Sequence, residues 1–144
     1  MCDMQGELTF HTRGPGLYGI TSDVSALANG QDSGLLTLLI LHSSASLLIQ
    51  ENADPDVQTD LRAYLERLVP DSNDPSMSYL RHTYEGPDDM PAHIKAALLP
   101  VNLQIPVRSG RLVLGTWQGV YLVEHRTAPH QRRIAWHFAP DAAR

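Results

Sequence analysis

A chain of 144 residues, 42% hydrophobic and 19% charged, has the size and balance of one domain spanning 1–144 and too much apolar content for a disordered segment. Its net charge of -5 argues against nucleic-acid partners, and the aliphatic run Leu38-Leu39-Ile40-Leu41, bounded by Thr37 and His42, is far short of the roughly 18 residues a membrane span needs. Cys2 is the only cysteine, which excludes an internal disulfide framework and zinc sites built on paired thiolates, and with no basic-then-apolar leader the expected location is the cytoplasm.

In chain order, Leu8 and Phe10 alternate with Glu7, Thr9 and His11, so Gly6 to Thr12 reads as a half-buried strand, followed by a turn at Gly14-Pro15-Gly16. Thr21 or Ser22 can cap a short helix carrying Val24, Leu27 and Ala28, with Gly30 as its C-terminal stop. The aliphatic run Gly34 to Leu41 has the pattern of a strand covered on both faces. It leads directly into His42-Ser43-Ser44-Ala45-Ser46-Leu47-Leu48-Ile49, and the two segments are expected as a central strand pair. Asp54 and Pro55 supply an N-cap and a first-turn proline, and Val57, Leu61, Leu65 and Leu68 recur at helical spacing, predicting a helix over Pro55 to Val69.

Asp71 to Pro91 reads as a loop, and one of this length inside a compact domain usually has a task. Pro91 can open a helix over Ala92 to Leu99, closed by Pro100. Strands are expected at Leu103 to Val107, Leu112 to Trp117, Val120 to Glu124 and Arg133 to Phe138, with a hairpin turn at Ser109-Gly110. Strands outnumber helices and cluster at the two ends, which gives an α+β class with a mixed, mainly antiparallel sheet and two or three helices.

The chemistry-bearing residues gather where elements meet loops. His42 ends the aliphatic strand, His82 lies in the long loop and His93 in the first turn of the short helix. Three imidazoles with an open fourth position form the ligand set of a catalytic divalent metal, and Asp88-Asp89 is close enough in sequence to add a carboxylate. Three unrelated surface or capping histidines fit the loose spacing as well. Asp54 is explained by capping alone; Glu51, between Leu47-Leu48-Ile49 and the cap, reads either as a general acid or base or as a solvated glutamate. Ser43-Ser44-Ala45-Ser46 can offer hydroxyl and backbone donors to an anion, or simply pack tightly. No nucleophile elbow or nucleotide-binding glycine motif is present. In Gly115-Thr116-Trp117-Gln118-Gly119, the two glycines suggest a bulge or a close approach, Trp117 reads as core or interface, and Gln118 needs partners if buried.

Three stretches carry a resemblance: His42-Ser43-Ser44-Ala45-Ser46 with Glu51-Asn52-Ala53-Asp54-Pro55; His82 to Gly86 with Asp88-Asp89-Met90-Pro91-Ala92-His93-Ile94-Lys95; and Gly115-Thr116-Trp117-Gln118-Gly119 with Glu124-His125-Arg126. From about Leu8 to Phe138 the chain resembles the YjbQ family of secondary thiamine-phosphate synthases. Ser43 stands where that family commonly has threonine, and Pro100 where it usually has glycine. The resemblance implies an α/β sandwich assembled as a homotrimer, with His42, His82 and His93 around a divalent metal ion, zinc as purified and magnesium for activity. It implies a small phosphorylated partner: a hydroxymethylpyrimidine diphosphate joined to a thiazole phosphate with release of pyrophosphate. Ser43, Ser44, Gln118 and Arg133 would hold the substrate side, and Glu51 with Asp54 the catalytic side. A metal- or small-ligand-binding protein without turnover and a metal-dependent phosphoester hydrolase stay open as alternatives. The trimer contact is expected at an exposed strand carrying Val113, Trp117, Val120 and Leu122, where Gly115 and Gly119 would admit a neighbour.

Overall fold

The computed structural model describes residues 3–142, so Cys2 lies outside the described residues. Alternation of Leu8 and Phe10 forms β1 (Gln5–Thr12), and a four-residue strand after the Gly14-Pro15 turn forms β2 (Gly16–Gly19). Helix α1 (Thr21–Ala28) buries Val24 and Ala28. Then come β3 (Gly34–Ile40), β4 (Ala45–Glu51), α2 (Pro55–Leu68), a single 3-10 turn (Pro75–Met77) and α3 (Asp89–Leu98). The chain closes with β5 (Asn102–Arg108), β6 (Arg111–Leu112), β7 (Gln118–Glu124) and β8 (His130–Pro140).

The strands form two sheets, ordered β1-β8-β3-β5-β6 and β2-β7-β4, and every pairing is antiparallel. The expected α+β class is what the structure has. The core is the seam between the sheets, where Leu36, Leu38, Ile40, Ile105, Ile134 and Phe138 of one meet Leu47, Val120 and Leu122 of the other. Each such side chain contributes about 1.5–3 kcal/mol when removed from water. Helices α2 and α3 lie against the smaller sheet, α2 beside β2 and α3 beside β4. No helix among the described residues is long and apolar enough to cross a membrane.

Several expectations need correction. β3 and β4 are not a strand pair: β3 is central to the larger sheet and β4 an edge of the smaller, so Leu41 to Ser44 carries the chain from one layer to the other. β3 is covered mainly on one face, with Leu39 44% exposed on the other. Neither Thr21 nor Ser22 caps α1; Ile20 holds that position, and the Thr21 hydroxyl accepts from Val120 N–H at 2.9 Å. The expected strand over Leu112 to Trp117 stops at Leu112, because Gly115 to Trp117 turn back and the Gln118 side-chain carbonyl accepts from Gly115 N–H at 2.7 Å. Val120 and Leu122 are fully buried in this chain's own core. A Cβ at Gly119 would lie 3.1 Å from Asn52 and 3.2 Å from Thr21, so this glycine admits its own chain rather than a neighbour.

Other local readings hold. Asp54 caps α2 through a 2.9 Å bond accepted from Asp56 N–H. Ser109 and Gly110 both take positive φ, 50° and 77°, as a two-residue hairpin turn of the twisted kind requires.

Candidate metal centre

Three short segments converge at one end of the sandwich: the β3–β4 crossover, the long loop with the start of α3, and Glu124-His125-Arg126 at the end of β7. Helix α3 begins at Asp89, two residues before the proline expected to open it, since proline is tolerated in a first turn. That start matters chemically. Asp89 and His93 become an i,i+4 pair on one helical face, and the loop residue His82 folds back onto it.

His82 Nε2 lies 2.7 Å from Asp89 Oδ2, and His93 Nε2 lies 3.4 Å from the same oxygen. One ligand atom from each residue falls within 4.8 Å of the others. The imidazoles meet edge to face with centroids 5.9 Å apart, and Tyr84 stands edge-on to His82 at 4.8 Å. The Asp89 side chain is 4% exposed while those of His82 and His93 are 32% and 31% exposed, so the carboxylate forms a floor with two rings opening outward.

Each member has an orienting partner. His93 Nδ1–H donates to the Ser43 carbonyl at 2.9 Å, which leaves the Nε2 lone pair of the neutral ring directed at the centre. Arg126 Nη1 holds Asp89 Oδ1 at 2.8 Å while its Nε donates to Asp88 Oδ2 at 2.8 Å, so Oδ2 of Asp89 is the oxygen left to the histidines. Thr127 N–H also donates to Asp88 Oδ2, fixing the support. The hydrogen bond to Asp89 raises the His82 pKa above that of a free imidazole, against a smaller opposing effect of burial, and Glu85 at 2.9 Å adds to the rise. Burial alone would raise the Asp89 carboxyl, but the His82 hydrogen bond and the Arg126 charge outweigh it and hold the pKa low. The 2.7 Å contact needs a proton between His82 Nε2 and Asp89 Oδ2, and it is this proton that a cation would displace.

Of the other residues singled out in the sequence, Ser43 touches the set through its backbone carbonyl, and His42, Ser44, Arg133, Glu51, Asp54 and Gln118 make their contacts elsewhere. His42 is held at β8, where its Nε2 accepts from Arg133 N–H at 2.9 Å; burial, then the charges of Arg132 and Arg133, lower its pKa. The lone pair that would bind a metal is thus already engaged, and Asp89 stands in the group where His42 was expected. Ser43 contributes its carbonyl to His93, while the Ser44 hydroxyl accepts from buried Arg132 at 3.0 Å. The exposed Arg133 guanidinium faces Glu7 at 3.4 Å. Glu51 pairs in register with Gln118 at one end of the β4–β7 ladder, and Ala45 with Glu124 at the other. Six residue steps of about 3.3 Å put these ends roughly 20 Å apart, so the fold of this chain does not bring Glu51, Asp54 and Gln118 to the histidines.

Beneath the centre is a second network, fully buried. Glu124 Oε1 accepts from Thr12 and from Arg132 Nε, and Oε2 from the backbone N–H of His125 and Arg126 as well as Arg132 Nη2. Burial pushes the Glu124 pKa up, but the Arg132 and Thr12 hydrogen bonds prevail and it is lowered. His125 shares a 2.9 Å hydrogen bond with Ser46 and is driven by burial, with Lys95 as the next cause, to a pKa of about 4.

This architecture and its motifs have close counterparts. The family model described as UPF0047 protein YjbQ-like matches residues 6–141. The UPF0047 protein sll1880 of Synechocystis is 48% identical over 93% of this chain and 90% of its own length. The UPF0047 protein YjbQ of Salmonella typhimurium is 44% identical over 90% of this chain and 93% of its own. Among solved structures, the conserved hypothetical protein TT1486 from Thermus thermophilus superposes with a TM-score of 0.81 at 33% identity, covering 93% of this chain and 99% of that one. With the motif segments in order and a matching fold along nearly the whole length, the chain belongs to the YjbQ/UPF0047 family.

Proposed function

We propose that the protein is a divalent-metal protein whose His82–Asp89–His93 set holds one ion, and that a small phosphorylated molecule is its substrate. The observation that supports this most is the orientation of His93: a ring tethered through Nδ1–H to a backbone carbonyl has its Nε2 lone pair free for a cation. A carboxylate with two imidazoles suits zinc and other first-row divalent ions, and three protein ligands leave a position open for a water or a substrate oxygen. When bound, such an ion supplies Lewis-acid stabilisation of charge on a phosphate oxygen. The chain's own residues do the rest. Asp89 would offset half the charge of a divalent cation, Arg126 fixes which carboxylate oxygen would face it, and the half-exposed rings leave an approach from solvent.

The family resemblance suggests thiamine-phosphate synthesis: the pyrimidine methylene carbon bonds to the thiazole nitrogen as its bond to the diphosphate oxygen breaks, releasing pyrophosphate. Glu51 can take part at this centre only if another copy supplies it. A homotrimer is accordingly part of the proposal, and of the residues first expected at its contact Val113 and Trp117 are exposed while Val120 and Leu122 are buried in this chain's own core.

The test titrates chelator-stripped protein with zinc against a competing indicator, then assays product formation from the two precursors with magnesium. One equivalent bound by wild type is expected, with a loss in His82→Ala at least as large as the roughly 10–100-fold that removing an outer-shell partner costs. Equal zinc affinity in both would overturn the metal reading, and equal turnover in both would remove the reaction from this site. Light scattering reads the assembly: a mass near 16 kDa would exclude the trimer.

A further inference from the structure

Behind the candidate centre, on the far side of the Asp88–Arg126 pair, a cleft of about 370 Å³ opens between α2, α3 and the end of β7. Its charged and titratable lining is Arg62, Glu66, Asp71, Asp88, Lys95 and His125. Most of these are already committed. Arg62 Nε pairs with Glu66 at 3.1 Å, Asp88 is held by Arg126 and Thr127, and His125 is hydrogen-bonded to Ser46.

Lys95 is different. It is 8% exposed, yet among the described residues its ammonium makes no hydrogen bond and no ion pair within 4.0 Å; the charges that act on it at longer range are Glu66, Asp71 and Asp88, opposed by Arg62. No buried side-chain nitrogen or oxygen among those residues lacks a partner, so the Lys95 ammonium is not sealed in the core; it ends at the cleft. Packing alone does not explain a lysine here, because a methionine or leucine would fill the same space without an ammonium to desolvate. Asp71 is the other lining charge whose side chain makes no hydrogen bond or close ion pair among the described residues, although its charge acts on Lys95 at longer range.

We infer that this cleft binds a small hydroxylated ligand through an oxyanion, with Lys95 Nζ donating to the oxyanion and Asp71 accepting from a hydroxyl. An ammonium fixed by burial of its stem is a preorganised donor, and the volume falls within the usual range for small-molecule sites. Asp71, the lining carboxylate with no close cation, sets the selectivity, since it disfavours polyanions and favours a ligand with one acidic group and hydroxyls beyond it. The inference does not depend on the metal.

Lys95 is the only lysine in the chain, so protein labelled with lysine carrying carbon-13 at Cε gives one side-chain signal that reports this cleft alone. Labelled protein kept in chelator, so that no metal-bound oxyanion contributes, is titrated with glycerol phosphate and with glycerate, against sodium chloride at matched ionic strength. A saturable shift with at least one ligand is expected, with millimolar affinity or better; which of the two acts assigns the oxyanion as phosphate or carboxylate. In Lys95→Met, calorimetry should show at least about a tenfold loss of that binding with thermal stability kept or improved. No shift beyond the salt control with either ligand, or equal binding in Lys95→Met, overturns the inference. Should that variant fail to fold, the wild-type titration decides by itself.

Discussion

Glu124 and Arg126 stand two residues apart at the end of β7, yet they serve two networks of opposite character. Glu124 joins Arg132, Thr12 and Ser44 in the core, where both carboxylate oxygens carry several donors and the Arg132 side chain is 3% exposed. Arg126 reaches the other way, to Asp88 and Asp89, whose remaining oxygen faces two half-exposed imidazoles. Similar chemical groups thus give a closed set, with both carboxylate oxygens taken up internally, and an open set with a lone pair and a carboxylate edge to spare. Closure makes structure, and spare capacity makes a candidate site.

The sharpest way to break the contrast is to open the closed set. Glu124→Ala leaves Arg132 buried and unpaired, and should cost roughly 3–5 kcal/mol in urea denaturation. A double Glu124→Leu, Arg132→Met replacement should recover part of it, because an apolar pair of similar volume can match a buried ion pair while the Thr12 hydroxyl and the His125 and Arg126 N–H groups still lose their acceptor. If the double variant is no more stable than the single, the network is doing more than satisfying itself.

The next effect is in pH. His125 has a folded pKa of about 4 against an ordinary 6.5, so between those values the unfolded chain binds a proton that the folded chain refuses. Stability therefore falls as pH drops from 6.5 toward 4, by roughly 3 kcal/mol for about 2.5 pH units of displacement. His82 has the opposite sign: its raised pKa stabilises the folded state below pH 6.5, and that contribution is lost as pH rises through the folded value. The depressed carboxylates Glu124 and Asp89 withdraw their stabilisation at lower pH still, so the interval from 6.5 to 5 reads the histidines. Denaturation midpoints of wild type and His125→Gln across this interval should diverge, the variant being flatter; parallel curves would contradict the assignment.

A smaller effect separates orientation from ligation in the open set. Arg126→Met keeps both histidines and Asp89 but frees the carboxylate to rotate, so zinc affinity should fall about tenfold, less than on losing a ligand. An unchanged affinity would mean that Arg126 serves only Asp88. Smallest is the cap: Asp54→Ala should cost about 1 kcal/mol and leave zinc binding alone, as expected of a residue at the far end of the β4–β7 ladder.

Much of the fold was legible because it rests on local chemistry. The period-two pattern of β1, the Asp54-Pro55 start of α2 and the Ser109-Gly110 turn all follow from their own residues. What escaped is what tertiary packing decides: a continuous aliphatic run cannot say that only one face of β3 is covered, nor that β4 joins another sheet. At the site, His82 and His93 were legible as residues near loops, and Asp88-Asp89 as a nearby source of carboxylate. Asp89 as the partner of His93 was hidden by starting the helix at Pro91, which removes the i,i+4 relation. Arg126 and Lys95 were hidden because an arginine and a lysine announce no partner in sequence; only the fold shows that one is fully engaged and the other is not.

The early start of α3 also makes the site a matter of phase. Each residue turns an α-helix by about 100°, so one residue inserted between Asp89 and His93 would swing the histidine to the flank while leaving a good helix behind. Substitutions between them change packing, as at fully buried Ala92, but insertions and deletions change direction. The length of that four-residue step is thus under tighter constraint than the identity of anything inside it.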